Sequence, residues 1–421
     1  MRTASFLFCL VILLALFPPF ASADGGFEAK GIQIGLDTLI SRIMNDHSEI
    51  ERARYRIEKE EALFRSAKGS LLPQVTVDTL AGSEFIPGEK SGFFGEAGLR
   101  FSLFEGGRHI HEKKKQALKV EESKFLKLED EMETIYQIKA LYLNTLRQAE
   151  LLKLAQEWVR ETGQHYRILR ILRDKDLVLE AELLRGASQF EESQLKLIQH
   201  KEAYDYGLSL LCELLKMTPN ERLMLEPVGE TYNREFSENA YIEQLRKSHP
   251  MYQILPLKVS ELESEKKILF SERLPEISFV SRFQSSRVDF DQNRYELGLQ
   301  GSWNIWDWGV TSNQIKAKAA EINELKTENK MKLKQLEEEV KKKMSDYKIE
   351  KMNLNYLKTY LKEIKKKYEG EKTKFLAGRN SSFDVIESFI QLKKAQMEWI
   401  DGLFDMKITL AQIETIGGFR Q

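Results

Sequence analysis

The stretch RYELGLQGSWNIW, Arg294 to Trp306, decides how this chain is to be read. Its odd positions hold Tyr295, Leu297, Leu299, Trp303 and Ile305, and its even positions hold Arg294, Glu296, Gln300, Ser302 and Asn304. A period of two sends one set to each side of an extended strand, giving one apolar and one polar face. Phe93 to Phe104 has the same character, with Phe93, Ala97, Leu99, Phe101 and Leu103 set against Glu96, Arg100 and Ser102. Less regular alternation precedes each stretch, in Val75 to Phe85 and in Ile277 to Arg287. Pro87-Gly88 and Asp289 to Asn293 supply the intervening turns. Two pairs of strands are expected, over about 74–104 and 276–306. Aromatic rings gather at their ends: Phe85, Phe94, Phe104, Trp303, Trp306 and Trp308. Strands of this kind fit a membrane barrel. A soluble hairpin packed on helices is the other reading of the same pattern.

Outward from these strands the chain repeats itself. His47-Ser48-Glu49 corresponds to His249-Pro250-Met251, and Leu72-Pro73-Gln74-Val75 to Leu274-Pro275-Glu276-Ile277. FSLFEGGR, Phe101 to Arg108, corresponds to WNIWDWGV, Trp303 to Val310. Every pair is 202 residues apart, in the same order, which points to a duplicated unit. Residues 24–219 are expected to form the first structural repeat and 237–421 the second, joined by a linker over 220–236. Each opens with a moderate helix, about Leu36 to Ser70 and about Met251 to Arg273, closed by a proline that lacks an amide proton. Each continues, after its strands, with two long helices. Leu128, Met132, Ile135, Ile138, Tyr142, Leu146, Ala149, Leu152, Ala155 and Val159 step by three or four, as do Leu354, Leu357, Leu361, Ile364 and Tyr368. That spacing packs helices side by side over many turns. No proline interrupts Gly107 to Thr218 or Gly309 to the C-terminus. A helix of about 65 residues would reach roughly 100 Å, a length suited to crossing an aqueous compartment.

Composition narrows the function. Arg2, the apolar run Phe6 to Phe20 and the small residues Ala21-Ser22-Ala23 form a secretory leader, residues 1–23, expected to be cut after Ala23. Lysine plus arginine number 64 against 65 aspartate plus glutamate, a balance that excludes the basic footprint of a nucleic-acid partner. Only Cys212 remains after the leader, so neither an intrachain disulfide nor a cysteine metal site is expected. No later apolar run is long enough for a membrane helix, so a membrane could be spanned only by strands. Four strands per chain cannot close a barrel, and an open edge leaves amides unsatisfied in lipid. Two chains would give a cylinder plugged by its own side chains, whereas three would give about twelve strands and room for a pore.

This layout resembles the TolC family of outer-membrane efflux proteins over nearly the whole mature chain. The resemblance rests on the repeat and on the order of three motifs. These are Ser70-Leu71-Leu72-Pro73-Gln74, Leu103-Phe104-Glu105-Gly106-Gly107-Arg108, and the link from Gly378 to Glu387 with Asp384-Val385-Ile386 inside it. It implies a mainly α fold with a small β part. Each chain would give four strands to a trimeric transmembrane β-barrel, and long coiled-coil helices would form a periplasmic α-barrel. The implied role is a passive channel in the cell outer membrane for efflux or type I secretion, with no cofactor. The implied partners are two further copies of the chain, a periplasmic adaptor protein, an inner-membrane transporter and outer-membrane lipid.

The resemblance also assigns residues. Asp384 and Glu387, one turn apart, match the acidic positions that line the periplasmic entrance, with Glu387 in place of the commoner aspartate. A solvated acidic helix start is the plainer reading of both. Phe375 stands where well-known members place a tyrosine that holds the gate, and Asn380 where they place an arginine, with Arg379 beside it. The gate network is therefore altered or uses Arg379. Adaptor contacts are expected at the two tips, through Arg173, Asp174, Asp176 and Leu177 and through Gly378 and Ser381. The first tip has no glycine and lacks the family's contact pattern.

Other features are set aside. His109 and His111 point to different sides of a helix start and are not expected to share a metal. His47 and His249 are expected at helix ends. Lysine clusters at Lys113 to Lys115, Lys341 to Lys343 and Lys365 to Lys367 read as solvated faces. No nucleophile elbow, phosphate loop or framed carboxylate pair points to an enzyme. The rival to a duct is a pore-less periplasmic coiled-coil structural protein.

Overall fold

The computed structural model of the protein describes residues 32–82, 92–217, 223–229, 237–286 and 294–417. The expected leader, the turns at Pro87-Gly88 and Asp289 to Asn293, and part of the 220–236 linker lie outside the described residues. In chain order the elements are β1 (Ile32–Ile34), α1 (Leu36–Asp46), α2 (Ser48–Gly69), β2 (Gln74–Gly82), β3 (Gly92–Glu105), α3 (Arg108–Arg173) and α4 (Glu180–Leu214). There follow β4 (Leu223–Leu225), α5 (Glu238–Ser248), α6 (Met251–Ser271), β5 (Glu276–Ser286), β6 (Arg294–Ser302), α7 (Val310–Leu376) and α8 (Ser382–Ile416). Gln74, Gly92, Arg108 and Glu180 open β2, β3, α3 and α4. Glu276, Arg294, Val310 and Ser382 open β5, β6, α7 and α8, each 202 positions later.

The fold is mainly helical with a small β part. Helices α3 and α7, of 66 and 67 residues, each span roughly 100 Å at 1.5 Å per residue. Along α3 the helices lie side by side: α2 and α6 flank it near the strands, α4 and α8 farther along, and α7 packs on α6 and α8. The core follows these contacts. Trp158, Tyr142, Ile138 and Leu151 of α3 are buried with Phe389, Ile390, Met397 and Phe404 of α8. Glu157 reaches across to the buried Lys393, with Oε2 and Nζ 2.5 Å apart.

Two expectations need correction. The helix expected from Leu36 to Ser70 is two helices parted at His47, which stands at a helix end as expected; its backbone is extended and its Nδ1 accepts the Glu49 amide at 3.3 Å. His249 makes the same break, accepting from the Met251 amide at 3.2 Å. The strand expected to reach Trp306 stops at Ser302, because its partner β5 begins at Glu276 and the residue before that, Pro275, offers no amide proton.

A second, small sheet was not foreseen. β1 pairs in parallel with β4, Ile32 beside Leu223 and Ile34 beside Leu225. Tyr142 ties it to the middle of α3: its hydroxyl, fully buried, lies 3.1 Å from the Ile34 carbonyl and 2.7 Å from that of Glu226. Burial pushes this phenol up to about 12, so it stays a neutral donor.

His249 makes stability acid-sensitive. It is buried, and burial pulls its pKa down to about 4, while in the unfolded chain it titrates near 6.5. Stability from the neutral ring is present above pH 6.5 and is lost as pH falls through 4, about 3 kcal/mol in all. His249→Asn keeps an acceptor for the Met251 amide without the titration. Urea midpoints measured between pH 7 and 4 should fall less steeply for the variant than for the parent.

Candidate functional site

Four antiparallel strands form one sheet in the order β2-β3-β5-β6. Its register sorts the side chains by chemistry. Val75 lies beside Leu99, Leu99 beside Ser281, and Ser281 beside Leu297. Phe101 lies beside Phe279 and Phe279 beside Leu299. This face is apolar and open in the single chain: Val75 is 72% exposed and Leu297 75%. The opposite face is polar and internally paired. Arg282 lies 3.8 Å from Glu96 and 3.9 Å from Glu296, and Arg294 lies 3.2 Å from Glu296. Gln284 donates to Glu96 at 3.1 Å and Arg100 to Gln300 at 3.3 Å. Strands β2 and β6 are the two borders, each hydrogen-bonded on one side only within the sheet.

Each half turns from strand to long helix through two residues in the left-handed region: Gly106 and Gly107, then Trp308 and Gly309. The first position takes glycine in one half and tryptophan in the other. A Cβ at Gly106 would sit 2.9 Å from the Ser271 carbonyl oxygen and from Leu274 Cδ1, whereas Trp308 is 87% exposed. Trp303, Trp306 and Trp308 all stand exposed here. Trp303 Nε1 donates to the Arg273 carbonyl at 3.0 Å, and Trp306 and Trp308 meet edge to face at 5.9 Å. His109 bridges Glu105 and Ser70, at 2.7 and 3.2 Å. Among the described residues no cluster of three or more His, Cys, Asp or Glu is placed to hold a metal, and no helix is long and apolar enough to cross a membrane.

The far ends of the long helices form two tips. At the first, Arg173 pairs with Asp176 at 3.1 Å and with Glu180 at 3.0 Å, the Asp174 amide closes α3 on the Arg170 carbonyl, and Leu177 stands exposed. Asp176 takes the left-handed conformation, φ 56°, that Gly378 takes at the second tip, φ 68°. At the second tip Phe375 is 42% exposed and its carbonyl accepts the Gly378 amide. Asn380 donates to Glu371 and accepts the Ser381 amide. Arg379 is tied by its backbone, donating to the Lys374 carbonyl at 2.9 Å.

The two acidic positions have local partners. Asp384 forms a capping box with Ser381, accepting its hydroxyl at 2.7 Å while its own amide donates to Ser381 Oγ at 3.3 Å. Glu182, 202 residues earlier, accepts the Leu179 amide at the start of α4 in the same way. Glu387 pairs with Arg185 at 3.1 Å, and the Arg185 guanidinium lies 4.0 Å from the centre of the Phe383 ring. Seven residues along each helix, Glu192 pairs with Lys394 at 2.8 Å. Arg185, Glu192 and Lys394 escaped the sequence reading, although the repeat carries the signal: both pairs join positions 202 apart. Equivalent positions of α4 and α8 thus meet at two places, one in each pair.

The Campylobacter jejuni CmeC outer membrane channel superposes with a TM-score of 0.79 at 16% identity, over 92% of this chain and 86% of that one. CusC, solved in a study of folding and transmembrane channel formation, gives 0.79 at 12% over 91% and 92%. The open state of the Neisseria gonorrhoeae MtrE outer membrane channel gives 0.76 at 12% over 91% and 88%. The chain has the TolC-like outer-membrane channel fold. At the level of sequence, no protein-family model and no curated protein matches it.

The turn geometry separates two glycines. Gly106→Ala meets backbone and Leu274 at 2.9 Å in a left-handed conformation, whereas Gly309→Ala in the same conformation meets only Asn313 at 3.7 Å. The second should cost about 1–2 kcal/mol and the first clearly more, read as the difference between their thermal unfolding midpoints.

Proposed function

We propose that this protein is a passive outer-membrane export duct. It works as a homotrimer in which the strands line up as a closed barrel in the cell outer membrane and the helices form a tube through the periplasm. The observation that carries this reading is the two-bordered sheet with an apolar outer face and an ion-paired inner face. In lipid the outer face is favourable and the borders are not, so β6 of one copy must meet β2 of the next. Three copies give about twelve strands, enough for a lumen lined by the polar face. The same closure covers Leu195, Ile198 and Tyr206 of α4 and Met331, Ile349 and Met352 of α7, which stand exposed in the single chain. The exposed tryptophans after β6 suit the level of the lipid headgroups.

In this reading residues 24–219 and 237–421 are two structural repeats joined by 220–236. Residues Asp384 and Glu387 face the periplasmic entrance, with Phe375, Arg379 and Asn380 as its neighbours. The tips, with Arg173, Asp174, Asp176, Leu177, Gly378 and Ser381, meet a periplasmic adaptor protein. That adaptor would link the tube to an inner-membrane transporter, which supplies the energy for efflux or type I secretion. The similarity to CmeC, CusC and MtrE supports the channel role.

Purified protein reconstituted into planar bilayers should give discrete conductance steps. A pore-less coiled-coil spacer would give none and would wash off membranes at high pH, and either result would end the duct reading. The two sheet faces supply a sharper check. Leu297→Arg places a charge in lipid at a cost of about 2–4 kcal/mol near the midplane, whereas Gln300→Arg adds one to the polar lumen. Heat-modifiable, detergent-resistant trimer recovered from membranes should drop for the first and persist for the second.

A further inference from the structure

The Arg185–Glu387 pair bears on what the entrance does to ions, and this inference rests on the duct reading above. Two carboxylates per chain on one helical face, in three copies, would make six negative charges around a narrow opening. An uncompensated ring of that kind draws in cations and excludes anions. The geometry of this chain works against such a ring. Asp384 is held in its capping box at the N-terminus of α8, where the amide ends of the helix offset its charge. Glu387 shares its charge with Arg185 at 3.1 Å.

Arg185 is held from two sides. Glu387 takes Nη2, and Phe383, one turn before Glu387 on α8, offers its ring face at 4.0 Å. The guanidinium belongs to α4 and both of its partners to α8, so the compensating charge arrives from the other hairpin of the same chain. The next pair along the seam, Glu192–Lys394, reverses the polarity. Balanced charge is thus built into repeat-equivalent positions of the two helices. Seen from the middle of an opening, two opposite charges 3.1 Å apart act as a dipole, whose potential falls off faster with distance than that of a lone carboxylate.

We propose that Arg185 is a specificity-determining residue of the duct: by pairing with Glu387 it cancels that ring of charge and leaves an entrance with weak ion selectivity. Solutes of either sign can then approach, and the choice of cargo falls to other components.

The test measures reversal potentials across a KCl gradient in planar bilayers, for the full trimer and three variants. The parent should show a potassium-to-chloride permeability ratio near unity. Arg185→Gln frees Glu387, and the ratio should rise at least about threefold. Glu387→Gln frees Arg185 and should move the ratio the other way. The swap Arg185→Glu with Glu387→Arg keeps the sum of charge and should return the parent's ratio. It also guards against misfolding, because a tip that fails to fold would not restore the parent's ratio. A conducting Arg185→Gln with an unchanged ratio overturns the proposal, as does a parent already as cation-selective as that variant. Absence of conductance from the parent would sink the duct reading and this inference with it, whereas conductance without the shift sinks this inference alone.

Discussion

A backbone amide without a partner is costly wherever water is excluded, and the sheet β2-β3-β5-β6 carries a row of them on each border. The apolar face makes the constraint sharper. Residues such as Val75 and Leu297 stand exposed on it, so water is a poor solvent for the sheet, and lipid is a poor solvent for its borders. In the proposed trimer, closure with further copies satisfies both at once. The helices inherit the same requirement. α3 is packed on several sides, while α4 and α7 keep apolar residues exposed along the flanks of the layer. In that trimer these exposed flanks are covered by the neighbouring copies.

The duplicated plan explains why the two halves fit and where they diverge. Matching positions of α4 and α8 meet in two ion pairs, Arg185–Glu387 and Glu192–Lys394. Divergence falls where the surroundings differ. Gly106 is forced by the nearby Ser271 carbonyl and Leu274, while Trp308 at the matching place stands exposed beside Trp306. Asp176 tolerates the left-handed turn that Gly378 makes at the other tip, as short polar side chains do.

Much of this architecture was legible in the sequence, for definite reasons. Proline-free runs with a three-to-four step gave the long helices, and strict alternation in Arg294 to Ser302 gave the strand and its two faces. The break at His47 was only half legible: the repeat set His47 and His249 at helix ends, but neither glycine nor proline marks His47, and the expected helix ran through it. It is made by an extended backbone and an imidazole cap. The β1–β4 sheet was invisible because three-residue strands carry no period, and because Tyr142, which anchors it, reads as one more apolar residue of α3. At the tips, sequence placed the acidic residues but not their partners. Asn380 finds Glu371 back across the turn, and Glu387 finds Arg185 on another helix. Pairings of that kind depend on register between elements, which a linear pattern does not state.

The repeat did hold that register in latent form. Where α4 and α8 bring equivalent positions together, like residues would place like charges side by side. Duplication alone would therefore have set Arg185 against another arginine and Glu192 against another glutamate. The present chain instead has Arg185 against Glu387 and Glu192 against Lys394, one exchange of sign in each direction. Both exchanges turn repulsion into attraction. Arg185–Glu387 and Glu192–Lys394 are thus two places where divergence of the halves gives matching positions opposite charge.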